Sequence, residues 1–480
     1  MNDRKGFGSN FGFLMAAVGS AVGLGNIWGF PNKMGANGGF PFLILYLALA
    51  LCCGVIIMLG ELALGRKTGH GAVGAYQSIS KRFKWLGWLG IAAAALIFSF
   101  YSALGGYCLR YVVVNFGNLI GAEFGTNGVG GADVFQGLLS QPDVSIAFAL
   151  AFMLITMLVV MCGVGGGIER VCSVGMPALF FILIICIIRS CTLPGAADGL
   201  KYMFVPGWAV ANGIIDEAPG FWRVLTAAGG QMFFSLSLGA GVMITYGSYL
   251  DKKQDLGKST MIIVGMDTVV ALMAGLCVIP GRFALDPNGA LGGPELLFIT
   301  MQNVFDKMGP AGPVFGILFY LLVFFAAISS SISMLEVIVA HFCDKAREKG
   351  KGDRRKLYSA IAVVICAALC ALVCADGMGS NHISPAELLG LAGAKLPGWS
   401  TSWLGLFDSV AEGLLMPLGA LLMCLMISWE LKPDVLRQEI LLNGENRPWV
   451  YDFFRLCVKY ITPLCMLMIL YGQISDFFIV

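Results

Sequence analysis

The chain has 480 residues, 58% of them hydrophobic and only 12% charged, with a formal net charge of +2 and a mean hydropathy of +0.81. A composition this apolar excludes a soluble globular protein, and the near-neutral charge gives no sign of a nucleic-acid partner. What remains is an all-α polytopic membrane protein whose solvent is the lipid bilayer.

Runs apolar and long enough to span a membrane fall at 11–30, 40–64, 87–118, 145–162, 172–191, 224–249, 260–280, 312–342, 358–375, 403–429 and 453–471, eleven in all. The first follows Arg4 and Lys5 directly, holds Asn26 and Trp28, and has no small-residue cleavage site before the next run. It therefore reads as a retained helix and not as a signal peptide. Its middle reads "GSAVGLGNIWGFP" over 19–31, broken by Gly19, Gly23, Gly25 and Gly29 and closed by Pro31. Glycine and proline are unfavourable inside a helix, and unwound backbone survives in a bilayer only where it lines a cavity that partners its N–H and C=O groups. Gly12, Gly105 and Gly106 instead read as points of close helix packing. "GLGNIWG" nearly matches a dinucleotide loop but has neither a preceding soluble strand nor a βαβ unit after it.

The sixth run carries a second interruption, "GGQMFFSLSLGAG" over 229–241. Runs one and six each open a set of five, so the two breaks correspond. Matching interruptions in two halves point to an inverted-repeat transporter with its site at the bilayer midplane.

Placing the N-terminus inside puts 21 of the 31 Lys and Arg residues in cytoplasmic segments. The excess fixes the N-terminus in the cytoplasm and, with an odd number of spans, the C-terminus outside. Domain boundaries follow: a cytoplasmic N-terminus 1–10, a first repeat 11–191, an extracellular loop 192–223, a second repeat 224–429, a cytoplasmic loop 430–452, and a last span with the C-terminus over 453–480. Most of the fifteen cysteines, Cys52 and Cys53 or Cys366, Cys370 and Cys374 among them, lie within apolar runs, as small buried hydrophobes do. His70, His341 and His382 are too scattered for a metal site.

"GSAVGLGNIWGFP", "NGGFPFLILY", "GELALGR", "GQMFFSLSLGAGVMITYGSY" and "FFAAISSSISM" together resemble the neurotransmitter:sodium symporter family in its bacterial amino-acid branch. The resemblance runs from about Arg4 to the tenth span. It implies a LeuT-type fold: a five-plus-five inverted repeat with discontinuous helices 1 and 6, and one additional C-terminal helix. It also implies one or two sodium ions as cosubstrates, a small amino acid as cargo, no organic cofactor, a multi-pass inner or plasma membrane location, and a monomer or homodimer.

Carried over residue by residue, the resemblance implies a first sodium site at the Ala21 carbonyl, Asn26, Ser235, Asp267 and the substrate carboxylate. It implies a second at the Gly19, Val22 and Ala326 carbonyls with the Ser329 and Ser330 hydroxyls. These are oxygen ligands, as a hard cation requires. The substrate carboxylate is expected at the N–H groups of Leu24 and Gly25, beside the Tyr101 hydroxyl. Ile97, Phe234, Ala240 and Met334 are expected around the side chain, with Ser237 and Ser330 at the edge. Gly23 stands where monoamine carriers of the family have an aspartate, so here the acid must come with the substrate. Ala240 replaces a large aromatic, which implies a large apolar or aromatic amino acid.

Two departures stand out. Asp267 occupies a position where many relatives have asparagine, with Tyr46, Gln231 and Ser235 matching the neighbours of the chloride bound by other members. A fixed negative charge there implies chloride-independent transport. Gly29 replaces the usual outer-gate arginine, while its partner remains as Asp408, with Glu412 one turn along; Lys33 is the expected substitute reaching Asp408. On the cytoplasmic side Arg4 and Asp344 match the inner-gate pair, with Phe7 where a tryptophan is usual and with Ser248 and Tyr249 in support. Glu61 is expected near the unwound part of the sixth span, and Glu336 has no assigned partner. The competing reading is a non-transporting sensor or an ion-conducting protein on the same fold. An enzyme is not expected, because no nucleophile and base share a depth.

Overall fold

The computed structural model describes residues 6–290, 293–352, 354–390, 398–431, 433–441 and 448–478, and among them every regular element is helical. In chain order the principal helices are α1 (Asn10–Ala21), α2 (Gly25–Ala36) and α3 (Phe40–Thr68). There follow α4 (Leu86–Ile120), α5 (Pro142–Met161) and α6 (Val164–Cys191). The second half comprises α7 (Phe221–Ser235) and α8 (Val242–Gly247), α9 (Leu256–Leu285), α10 (Gly309–Glu348), α11 (Arg355–Gly379), α12 (Trp403–Glu430) and α13 (Trp449–Ser475).

Among the described residues nine helices are long and apolar enough to cross a membrane by themselves, and the α1/α2 pair, bent by 44°, makes ten. That is one short of the eleven spans expected, of which the first and sixth were to be discontinuous. The sixth is two helices of 15 and 6 residues on either side of Leu236–Gly241. The reason is local: Ser237, Gly239 and Gly241 have φ of 53°, 80° and 74°, in the left-handed region that ends a right-handed helix.

The long helices α4 and α10 pack along one another and frame the two broken ones. Small residues set the closest approaches. A Cβ on Gly106 would lie 2.6 Å from the Ala149 nitrogen, and one on Gly105 would meet the Phe152 ring. The expected role of both glycines in helix packing is thereby met at the α4–α5 contact. The added helix α13 lies on α7 and α12; Gly229 of α7 accepts Ile469 of α13, whose side-chain atoms stand 2.7 Å from the missing Cβ. Most of the cysteines, from Cys53 to Cys457, are buried, and all fifteen are free thiols.

Candidate functional site at the two helix breaks

The α1 helix ends because Val22 turns to φ −74°, ψ 97°, which strips Gly19 and Ser20 of their usual N–H partners. Those N–H groups are redirected to side chains. Gly23 N–H donates to Asn26 Oδ1 at 3.0 Å and Leu24 N–H to the Tyr101 hydroxyl oxygen at 2.7 Å. The freed carbonyls receive hydroxyls from other helices. Ser330 Oγ lies 3.3 Å from the Gly19 oxygen and 3.1 Å from that of Ser20, and Ser237 Oγ donates to the same Ser20 oxygen at 3.1 Å. Ser329 Oγ is 3.5 Å from the Val22 oxygen and 3.0 Å from that of Ala326. All five members of the second expected cation set therefore meet at the break. Ser20, through its carbonyl, is a participant that sequence reading left out.

On the other side of the break Asp267 of α9 is fully buried. Its carboxylate accepts from Ser235 Oγ at 3.0 and 2.9 Å, from Asn26 Nδ2 at 2.7 Å and from the Tyr46 hydroxyl at 3.2 Å. Asn26 Nδ2 also donates to the Asp267 carbonyl at 2.9 Å. Gln231 Nε2 donates to the Gly25 carbonyl at 2.6 Å, while its Oε1 is buried without a protein partner. Asn26, Ser235 and Asp267 are thus brought together as expected, and α1 ends at Ala21. The set fits a hard cation, since its acceptors are carboxylate, hydroxyl, amide and carbonyl oxygens.

Between the two sets, the Tyr101 and Phe234 rings meet edge-on with centroids 6.3 Å apart. Ile97, Phe234 and Met334 are all buried. Gly23 has no room for a side chain: a Cβ there would collide with Tyr101 Oη and Ser330 Oγ and stand 3.0 Å from Ser330 Cβ. Gly25 is held as closely, 3.0 Å from Phe234 Cδ1 and 3.2 Å from Ser235 Cα. Ala240 sits lower in the unwound turn, its carbonyl 3.1 Å from the missing Cβ of Gly90. That glycine is seven residues, about 10 Å along α4, from Ile97. Beside it Glu61 of α3 accepts the Gly239 N–H at 2.7 Å, as expected of a carboxylate next to unwound backbone.

At the end expected to face outward, Lys33 forms its ion pair with Glu412 and not, as expected, with Asp408. The α12 helix widens over Ser409–Leu415, and Glu412 is aimed at Gly230 of α7, with Oε1 2.7 Å from the missing Cβ. Asp408 lines the same cavity of about 320 Å³, with Arg223, Asn37 and Gln473. Gly29 faces inward, its Cβ position 2.9 Å from Gln231 Oε1, so an arginine at 29 would press on the cation-site neighbour Gln231.

At the opposite end Phe7 meets Phe13, Tyr246 and Tyr249 edge-on at 5.4, 5.7 and 6.2 Å. Asp344 accepts the Gly71 N–H at 3.1 Å, and Ser248 Oγ donates to the Thr245 carbonyl at 2.6 Å. The expected partner of Asp344, Arg4, lies outside the described residues. Glu336 acquires partners that sequence reading missed: the Tyr249 hydroxyl at 2.6 Å and the Arg355 guanidinium. A buried acid in a span demands a cation, and the basic loop to which Arg355 belongs was the signal available.

The profile of the sodium:neurotransmitter symporter family matches residues 4–127 and 132–478. An uncharacterized sodium-dependent transporter of Bacillus subtilis is 36% identical over 477 residues, covering 97% of each chain. A second, of Methanocaldococcus jannaschii, is 30% identical over 91% of this chain and 84% of its own. The crystal structure of MhsT in complex with L-phenylalanine superposes with a TM-score of 0.83 at 33% identity, covering 98% of this chain and 100% of that one. With the two helix breaks, the oxygen-lined sites and this coverage taken together, the chain belongs to the sodium:neurotransmitter symporter family.

Proposed function

We propose that the protein is a symporter that couples sodium entry to uptake of a zwitterionic amino acid with a large apolar or aromatic side chain. Its N-terminus is cytoplasmic, its C-terminus external, and transport does not require chloride. The observation that carries this reading is the convergence of Gly19, Ser20 and Val22 carbonyls on Ser329 and Ser330, back to back with Asn26, Ser235 and Asp267. Oxygens spared from helix hydrogen bonds are ready to replace the hydration shell of sodium.

Between them the Leu24 N–H, at the positive end of α2, now bonded to Tyr101, offers a seat for a carboxylate. A carboxylate seated there completes the coordination of the first sodium, so each cosubstrate strengthens the other by direct contact, and the effect is reciprocal. Asp267 supplies the negative charge that makes an external anion unnecessary. Absence of a side chain at Gly23 leaves the substrate to bring its own acid. MhsT, similar over its whole length, is known with L-phenylalanine bound, which supports a large apolar or aromatic cargo. The gates at Lys33–Glu412 and around Phe7 open alternately as one bundle rocks against the other.

Uptake of a panel of labelled amino acids into proteoliposomes, with sodium and chloride gradients varied independently, tests this. Sodium-stimulated uptake of a bulky apolar amino acid is expected, and uptake confined to small amino acids would set aside the size assignment. Sodium-dependent binding without uptake would favour a sensor; no stimulation by sodium for any amino acid would overturn the proposal.

A further inference from the structure

We propose that Glu169 is a positioning residue of the inner gate, a carboxylate latch that holds the first turn of α1 against α6 while the cytoplasmic side is shut. The Gly8 N–H donates to Glu169 Oε2 at 2.7 Å, and Ser9 Oγ donates to Oε1 at 2.9 Å. The same Ser9 hydroxyl accepts the Gly12 N–H at 2.9 Å and so caps α1. One side chain on α6 thus closes the unsatisfied end of another helix. The α1 helix has no acidic residue in its own first turn, so Glu169 supplies the negative charge that its positive end favours.

The surrounding residues are shaped around this contact. A Cβ on Gly12 would fall within the Glu169 side chain, and the missing Cβ of Gly165 stands 3.7 Å from the Gly6 carbonyl oxygen. Gly12 therefore makes room for the carboxylate, not for a helix backbone as its sequence context implied. Glu169 itself follows a wide turn, Val164–Ile168, that carries three consecutive glycines and starts from Gly163 at φ 81°. The latch is mounted on backbone that is already loosely wound. On its other side the segment around Gly8 and Ser9 borders a cavity of about 320 Å³ lined by Tyr249, Asp251 and Gln254, which is space for it to move into.

The far end of α1 carries the Gly19 and Val22 carbonyls of the second cation site. A straight helix of 12 residues acts as a lever of about 18 Å, so release at Glu169 swings those carbonyls away from Ser329 and Ser330. The latch rests on the transporter reading for its purpose, but its geometry is independent of substrate.

Hydrogen exchange of the full-length protein in sodium, read by mass spectrometry over residues 6–21 and 221–247, tests the latch without any transport assay. Glu169→Ala is expected to raise exchange several-fold in 6–21 and to leave 221–247 unchanged. Glu169→Gln, which keeps acceptor capacity, is expected to restore part of the protection. Ser9→Ala and Glu169→Ala share the Ser9–Glu169 bond but also free the Gly12 and Gly8 N–H groups separately, so the double variant is expected to exceed either single one and to fall short of their sum. Wild-type exchange in Glu169→Ala, a rise spread evenly over both segments, or additive effects would overturn the proposal. If the wild type takes up no amino acid, the transporter reading fails while the exchange result stands.

Discussion

Arg355, the first residue of α11, clamps Glu336 of α10 with two hydrogen bonds: Nη1 donates to Oε2 at 2.5 Å and Nη2 to Oε1 at 3.1 Å. The Glu336 side chain is 0% exposed and that of Arg355 16%. Forked pairing of this kind is what a guanidinium provides and a lysine does not. With Tyr249 on the same carboxylate, the clamp ties α10 and α11 to the loop after α8 at the inner gate.

Breaking a shielded pair by removing one partner strands the other charge, at a cost of about 3–5 kcal/mol, whereas replacing both by apolar groups is often neutral. Arg355→Met is therefore expected to lower the unfolding temperature of the purified protein sharply, and adding Glu336→Met to recover most of the loss. A double variant no more stable than the single one would show that the pair is not what the stability depends on.

Ser330→Ala removes the hydroxyl shared by the Gly19 and Ser20 carbonyls. Loss of one such ligand amounts to about 1–2 kcal/mol, or roughly five- to thirty-fold in the sodium concentration that half-saturates uptake. Substrate affinity at saturating sodium should change much less. Titrating sodium in uptake assays checks both halves of the expectation.

Asp267 places a fixed negative charge at a site with no exposure, a position that a bound cation makes tolerable. Replacing chloride by gluconate is expected to leave wild-type uptake unchanged. Asp267→Asn should weaken sodium binding and make the remaining uptake respond to chloride. Wild-type uptake that collapses without chloride would remove the role assigned to this carboxylate.

Lys33 and Glu412 are partly shielded, at 23% and 9% side-chain exposure, which puts their pairing nearer a surface ion pair than a buried one. A contribution of about 1 kcal/mol, roughly five-fold in rate, follows. Lys33→Ala is expected to speed release of bound amino acid to the outside by that factor, measured as dissociation of labelled substrate. An unchanged dissociation rate and sodium dependence would dismiss this pair as a gate.

The helix breaks and the family were legible in the chain because each depends on local chemistry: glycines that unwind a helix, apolar runs that span lipid, and short motifs; the oxygen sets proposed for the cations came only through the resemblance. Packing between distant helices decided the rest. Nothing near Lys33 says whether its reach ends on Asp408 or on Glu412 one turn away; the wide turn over Ser409–Leu415 and the absence of a side chain at Gly230 choose Glu412. Glu336 found Arg355 across 19 residues of chain, and Glu169 found Ser9 across 160. The sequence alone determined where backbone is left unpaired, because that follows from residues adjacent along the chain. Only the tertiary structure decided which side chains take up those unpaired groups, because the partners come from other helices whose rotation and depth no local pattern records.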